Sequence, residues 1–208
     1  MAITYPLSLP DTTSFQSIKL KARNAVAVTE SMFTYQQRTQ QNQGQRWEAD
    51  VKIVPKNRTD AEVWITFLMS LKGRLGTFLM GDPAGATPLG VATGTPLVKG
   101  ASQVGEDLIT DGWTISTTGI LVKGSYVQLG SGATSTLHKS LTTVNSNGSG
   151  EATLTLWPAI TAQTSPADNA PLTISSAKGL WRLKDNLFEF DIDTAIIYGI
   201  EFAAIQAL

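Results

Sequence analysis

The sequence contains no cysteine and a single histidine, His138, among 208 residues. The first absence excludes disulfides, thiol nucleophiles, zinc fingers and iron–sulfur sites. A lone imidazole points away from a His-based metal site or a Ser-His-Asp triad. Charge is also scarce: 16% of residues are charged and the net charge is −1. Phosphate neutralisation needs clustered Lys and Arg, so no nucleic-acid partner is expected. No run approaches the ~18 apolar residues of a membrane helix, so no membrane partner is expected. The start, Met1-Ala2-Ile3-Thr4-Tyr5-Pro6, has no basic stretch followed by an apolar run, and no signal peptide is expected. There is no phosphate-binding Gly-Lys-Ser/Thr loop, no Gly-x-Ser-x-Gly elbow and no His-Glu-x-x-His. The expectation is therefore no catalytic residue, no cofactor and no metal.

What is present is a globular chain. Its 42% hydrophobic residues are too many for disorder, and at this length roughly 70% of the unfolded surface is buried on folding. The texture changes twice. Met1 to about Met80 mixes charged and apolar residues. From Gly81 to Lys178 charges thin out and Ser, Thr, Gly and Ala dominate, and the first texture returns at Gly179. This pattern predicts a discontinuous outer domain (1–81 and 179–208) carrying an inserted domain (82–178) at exposed turns.

The outer part reads as strands around one helix. Trp47-Glu48-Ala49-Asp50-Val51-Lys52-Ile53 alternates, with Trp47, Ala49, Val51 and Ile53 facing a core and Glu48, Asp50 and Lys52 facing water. Ala25–Val28 and Met32–Tyr35 supply an earlier strand, and polar Gln36–Gln45 reads as a hairpin loop. Thr59-Asp60-Ala61-Glu62 fits a capping box. Trp64, Phe67, Leu68 and Leu71 then form one apolar helix face, stopped at Gly73. Leu187–Asp193 alternates, with Glu189, Asp191 and Asp193 on one face. Ala195–Leu208 carries one charge, and so apolar a terminus is docked, in its own core or on a partner.

The inserted part reads as all-β. Leu121–Gly130, Leu137–Val144, Ala152–Trp157 ending at Pro158, and Leu172–Ser175 are its strands, with a turn at Asn147-Gly148. The predicted fold class is mainly β (α+β). It comprises an outer β-sandwich or split barrel with one packed α-helix, and an inserted small β-barrel.

Chemistry is sparse. Glu106, Asp107 and Asp111 form a small acidic group in Gly-rich turns. Asn57-Arg58-Thr59 and Asn147-Gly148-Ser149 match the glycosylation sequon. Trp113, Tyr126 and Trp157 are either a sugar-stacking platform or barrel core.

One pattern has a precedent. Phe33-Thr34-Tyr35-Gln36-Gln37-Arg38-Thr39, Gly44-Gln45-Arg46-Trp47-Glu48-Ala49, and Ala61-Glu62-Val63-Trp64 followed by Phe67 to Pro83 resemble tail proteins of long-tailed bacteriophages. Leu121–Gly130 and Ala152–Ile160 are similar too. The resemblance implies a structural virion protein, most closely a distal tail protein. That family forms a homohexameric ring between the tail tube protein and the tail-tip or baseplate hub protein, through an N-terminal belt domain. Many relatives carry larger C-terminal galectin-like domains, whereas here the small β domain reads as inserted. Tail-tube and tail-terminator subunits make similar rings. The expected location is the virion, after synthesis in the host cytoplasm.

A closed ring joins two different surfaces of each subunit. The expected interface is Gln37, Gln40 and Gln43 in the hairpin, with Ile197, Ile200, Phe202 and Ile205 near the C-terminus. The alternative is a carbohydrate-binding module using Trp113, Tyr126 and Trp157.

Overall fold

The computed structural model describes residues 3–10 and 14–208; Met1-Ala2 and Asp11-Thr12-Thr13 lie outside the described residues. The fold is mainly β with one α-helix. In chain order the elements are β1 (Leu7–Ser8), β2 (Phe15–Glu30), β3 (Gln37–Ile53), α1 (Arg58–Ser70), β4 (Phe78–Met80), β5 (Gly94–Val98), β6 (Gly105–Trp113), β7 (Tyr126–Leu129), β8 (Thr136–Ser140), β9 (Ala152–Ile160), β10 (Gly179–Leu183), β11 (Phe190–Ile192) and β12 (Tyr198–Gln206). A seven-stranded sheet runs β1-β4-β10-β12-β3-β2, with β11 also paired to β12. A five-stranded sheet runs β5-β6-β9-β8-β7. Strands before Gly81 and after Lys178 share the first sheet, and those between share the second.

Alternation explains the buried half of β3. Trp47, Ala49, Val51 and Ile53 enter the outer core, while Lys52 is exposed. Glu48, expected in water, is buried instead, for a reason given below. The helix packs Trp64, Phe67, Leu68 and Leu71 into the same core, each worth about 1.5–3 kcal/mol of apolar burial. Its cap is Asn57, not Thr59: the Asp60 N–H donates to Asn57 Oδ1 at 3.1 Å. Asn outranks Thr at this position, and the helix starts correspondingly earlier.

The Gln-rich stretch is not a loop. The turn lies at Ser31–Gln36, where Ser31 N–H donates to the Gln36 carbonyl, and Gln37–Gln45 belongs to β3. Strand and turn thus exchange places relative to the sequence expectation, because this part of β3 buries nothing and has no reason to alternate.

The five-stranded sheet curls around its own core of Leu108, Trp113, Ile120, Leu121, Leu129 and Leu154, among others. Residues 169–173, which overlap the short strand expected at Leu172–Ser175, bridge both of its edges. On the β5 side Asn169 and Leu172 N–H groups donate to Val98 and Pro96 carbonyls. On the β7 side Gln128 and Thr173 exchange two bonds of 2.8 and 3.1 Å. This strap occupies edges that would otherwise template pairing. β9 does not end at Pro158 but continues to Ile160, with its register to β6 shifted there. A proline that donates no ladder bond is tolerated at such an irregularity.

Candidate functional site

The most unusual part of the molecule is the distal half of the β2–β3 hairpin. Ala22–Glu30 and Met32–Gly44 are exposed at every position. From the Asn24↔Gln45 pair to the turn, the two-stranded arm extends about 20 Å at ~3.3 Å per residue. An isolated hairpin is marginal in water, and this one is held at its base.

Three groups hold it. Between Asn24 and Val26 the register shifts, with Gly44 opposite Ala25 in the resulting bulge. A Cβ on Gly44 would sit 3.0 Å from Ala25 Cβ, so this bulge is tight. Second, buried Glu48 Oε1 accepts from Arg46 Nη2 (2.8 Å) and Nε (3.2 Å), and from Arg23 Nη1 (3.3 Å). The Arg46 hydrogen bonds, reinforced by the Arg23 and Arg46 charges, hold the Glu48 carboxyl below its ordinary pKa against the opposing effect of burial. Arg23 and Arg46 face each other across the two strands, so one carboxylate clamps both. Third, β9 of the five-stranded sheet grips the base. Trp157 Nε1–H donates to Asn24 Oδ1 at 2.8 Å, and Ala159 N–H donates to Gln45 Oε1 at 2.7 Å.

At the far end the turn displays Met32 (88% exposed), Phe33 (96%) and Tyr35 (75%). Tyr35 sits at φ 53°, a costly region for a bulky residue. Ser31 Oγ accepts from the Phe33 and Thr34 N–H groups, which shapes the turn. Cross-strand pairing puts Val26 and Val28 on one arm face with Gln41 and Thr39, and both valines are exposed. Exposed apolar side chains thus lie along the arm as well as at its tip.

The expected interface residues separate into two groups. Gln37, Gln40 and Gln43 are exposed on the arm, and Gln37 Nε2 donates to Glu30 Oε2 at 2.6 Å. They do not share a face: Gln37 and Gln40 lie on opposite sides of the ribbon and Gln43 sits in the bulge. Ile197 is exposed at the turn before β12. Ile200 (1% exposed), Phe202 and Ile205 are buried within this chain, Phe202 stacking near Trp64. They correct the sequence expectation: β12 is a central strand between β10 and β3, so its apolar residues serve the chain's own core.

The aromatic platform also dissolves. Trp113 is buried in the barrel core, its Nε1–H donating to Thr110 Oγ1 at 2.8 Å. Tyr126 is buried against Trp47 at the junction of the two cores, and burial pushes its hydroxyl pKa up. Trp157 packs edge-on against Trp47 with centroids 4.5 Å apart. They reach different cores because β7 and β9 contribute to both sides of the barrel wall. His138 is buried, with Nδ1 2.7 Å from the Pro158 carbonyl and Nε2 2.9 Å from Thr136 Oγ1. The carbonyl requires the proton on Nδ1, so Nε2 accepts from the hydroxyl. Burial lowers its pKa to about 4. Among the described residues no group of three or more His, Asp or Glu side chains is able to hold a metal ion. Asp107 accepts from Thr155 Oγ1 at 3.0 Å.

Sequence reasoning missed Asn24, Gln45, Arg23, Arg46 and Glu48 as a unit. The available signal was a charged residue flanked by apolar ones, Arg46-Trp47-Glu48, where the strand passes from exposed to buried. The geometry defines a mainly β chain whose candidate site is a projecting hairpin arm. No protein-family model matches the chain, and no curated protein does.

Proposed function

We propose that the chain is a structural subunit that assembles with copies of itself through the hairpin arm. The carrying observation is the arm: two strands with no core of their own, ending in three exposed large side chains. A solitary monomer gains nothing from such a feature, whereas a neighbouring subunit would bury it. The sequence resemblance supports a more specific reading, the distal ring of a bacteriophage tail. That ring would be homohexameric and join the tail tube protein to the tail-tip hub protein in the virion.

Light scattering across a concentration series tests this. The intact chain is expected to form a closed species of about six copies. A variant with Ala27–Gln40 replaced by a two-residue Asn-Gly turn, which keeps Asn24, Gln45 and the Val26–Gln41 pair at the base, is expected to stay monomeric with its melting temperature nearly unchanged. A monomer at every concentration for the intact chain, or full assembly by the armless variant, would overturn the proposal.

A further inference from the structure

A recess lies far from the arm tip on the same chain. Between β10, β12 and residues 185–189 lies a groove of about 540 Å³, within the range of pockets that hold sizeable ligands. Phe188 supplies apolar lining above the buried Leu183 and Phe202, and Asp185, Glu189 and Glu201 also line it. Leu187 stands at the lip, 76% exposed. The groove is preformed. Arg74 N–H donates to Asn186 Oδ1 at 3.1 Å, tying the wall to the end of α1, and Lys184 N–H donates to the Ala203 carbonyl at 2.9 Å.

Both surfaces carry charged side chains without an ion partner. Among the described residues Asp185 and Glu189 make no ion pair, while Glu201 pairs with Lys52. Arg38, just behind the arm tip, makes none either, while Glu30 beside it is engaged by Gln37 Nε2. The tip and the groove cannot meet within one chain. The groove residues of β12 pair with Asp50–Lys52 of β3, while the tip precedes Gln37 at its other end. That separation is about 40 Å of strand. Donor and acceptor on different surfaces are what a head-to-tail contact requires.

We infer that the arm tip of one copy seats Met32, Phe33 and Tyr35 in this groove on a second copy, with Arg38 facing Asp185 and Glu189. The inference rests on the self-assembly reading above. Because the chain has no cysteine, Thr34→Cys combined with Leu187→Cys provides the only two thiols and spares the apolar tip. A short bis-maleimide crosslinker is expected to convert this variant into a ladder of covalent multimers. Thr34→Cys with Val63→Cys, on the outer face of α1, is expected to give none. In parallel, Arg38→Glu is expected to raise the concentration for half-assembly about tenfold, and adding Asp185→Lys and Glu189→Lys to restore it. Multimers by light scattering without the ladder, or with no response to the charge reversals, would overturn the groove and leave self-assembly standing. Monomers without a ladder would overturn both.

Discussion

The arm and the curled five-stranded sheet solve the same problem in opposite ways. Both are β-structures that must satisfy backbone groups and place apolar side chains. The barrel wraps five strands around Leu108, Trp113 and Leu154 and straps its edges with residues 169–173. The arm leaves both faces in water and displays Phe33 at its tip. One sheet has its edges strapped, and the other leaves its arm open to water. Stability should therefore concentrate in the barrel and in the arm's anchor, and be nearly absent from the arm's end.

The sharpest way to break this contrast is Trp113→Ala. It empties a buried indole site and should cost ~3–5 kcal/mol in denaturant unfolding. Next comes acid. His138 is neutral in the fold with a pKa near 4, whereas an unfolded imidazole titrates near 6.5. Its contribution is complete above about pH 6.5 and is lost as pH falls toward 4, by about 3 kcal/mol at most. Unfolding free energies measured from pH 7 to pH 4 should show this decline, and His138→Gln should flatten it. Glu48→Gln follows, at roughly 1–3 kcal/mol, because it leaves Arg23 and Arg46 facing each other without their shared carboxylate. Its linkage lies lower: the depressed carboxyl contributes above its ordinary pKa and the contribution disappears as pH falls through its folded value. Smallest is Phe33→Ala, expected within about 0.5 kcal/mol of the parent. A large loss there would show that the tip packs on its own chain.

The same contrast explains what the amino-acid sequence made legible. Where one strand face is buried, alternation appears, as in Trp47 to Ile53 and Ala152 to Leu156, and those strands are where the pattern put them. The helix face of Trp64, Phe67, Leu68 and Leu71 is equally plain. Gln37–Gln45 was opaque because a strand exposed on both sides needs no periodicity, and its polar residues resemble a loop. Ile200, Phe202 and Ile205 look alike on paper whether they face a neighbour or their own core; only the pairing of β12 between β10 and β3 decides. Trp113, Tyr126 and Trp157 cluster by composition, yet their strands send them to separate cores.

The pairing of β12 with β3 also governs how the protein is made. Glu48 and Ile205 are neighbours in the sheet but more than 150 residues apart in the chain. On a ribosome adding about 5–20 residues per second, the hairpin emerges early and waits on the order of ten seconds for its inner partner. The barrel, with its strap at residues 169–173, is fully synthesised before that strand appears. During this interval the inner edge of β3 lacks its partner, and the nine-residue β12 then completes the outer sheet. Nascent chains stalled before Tyr198 would thus be the form of this protein most in need of a chaperone.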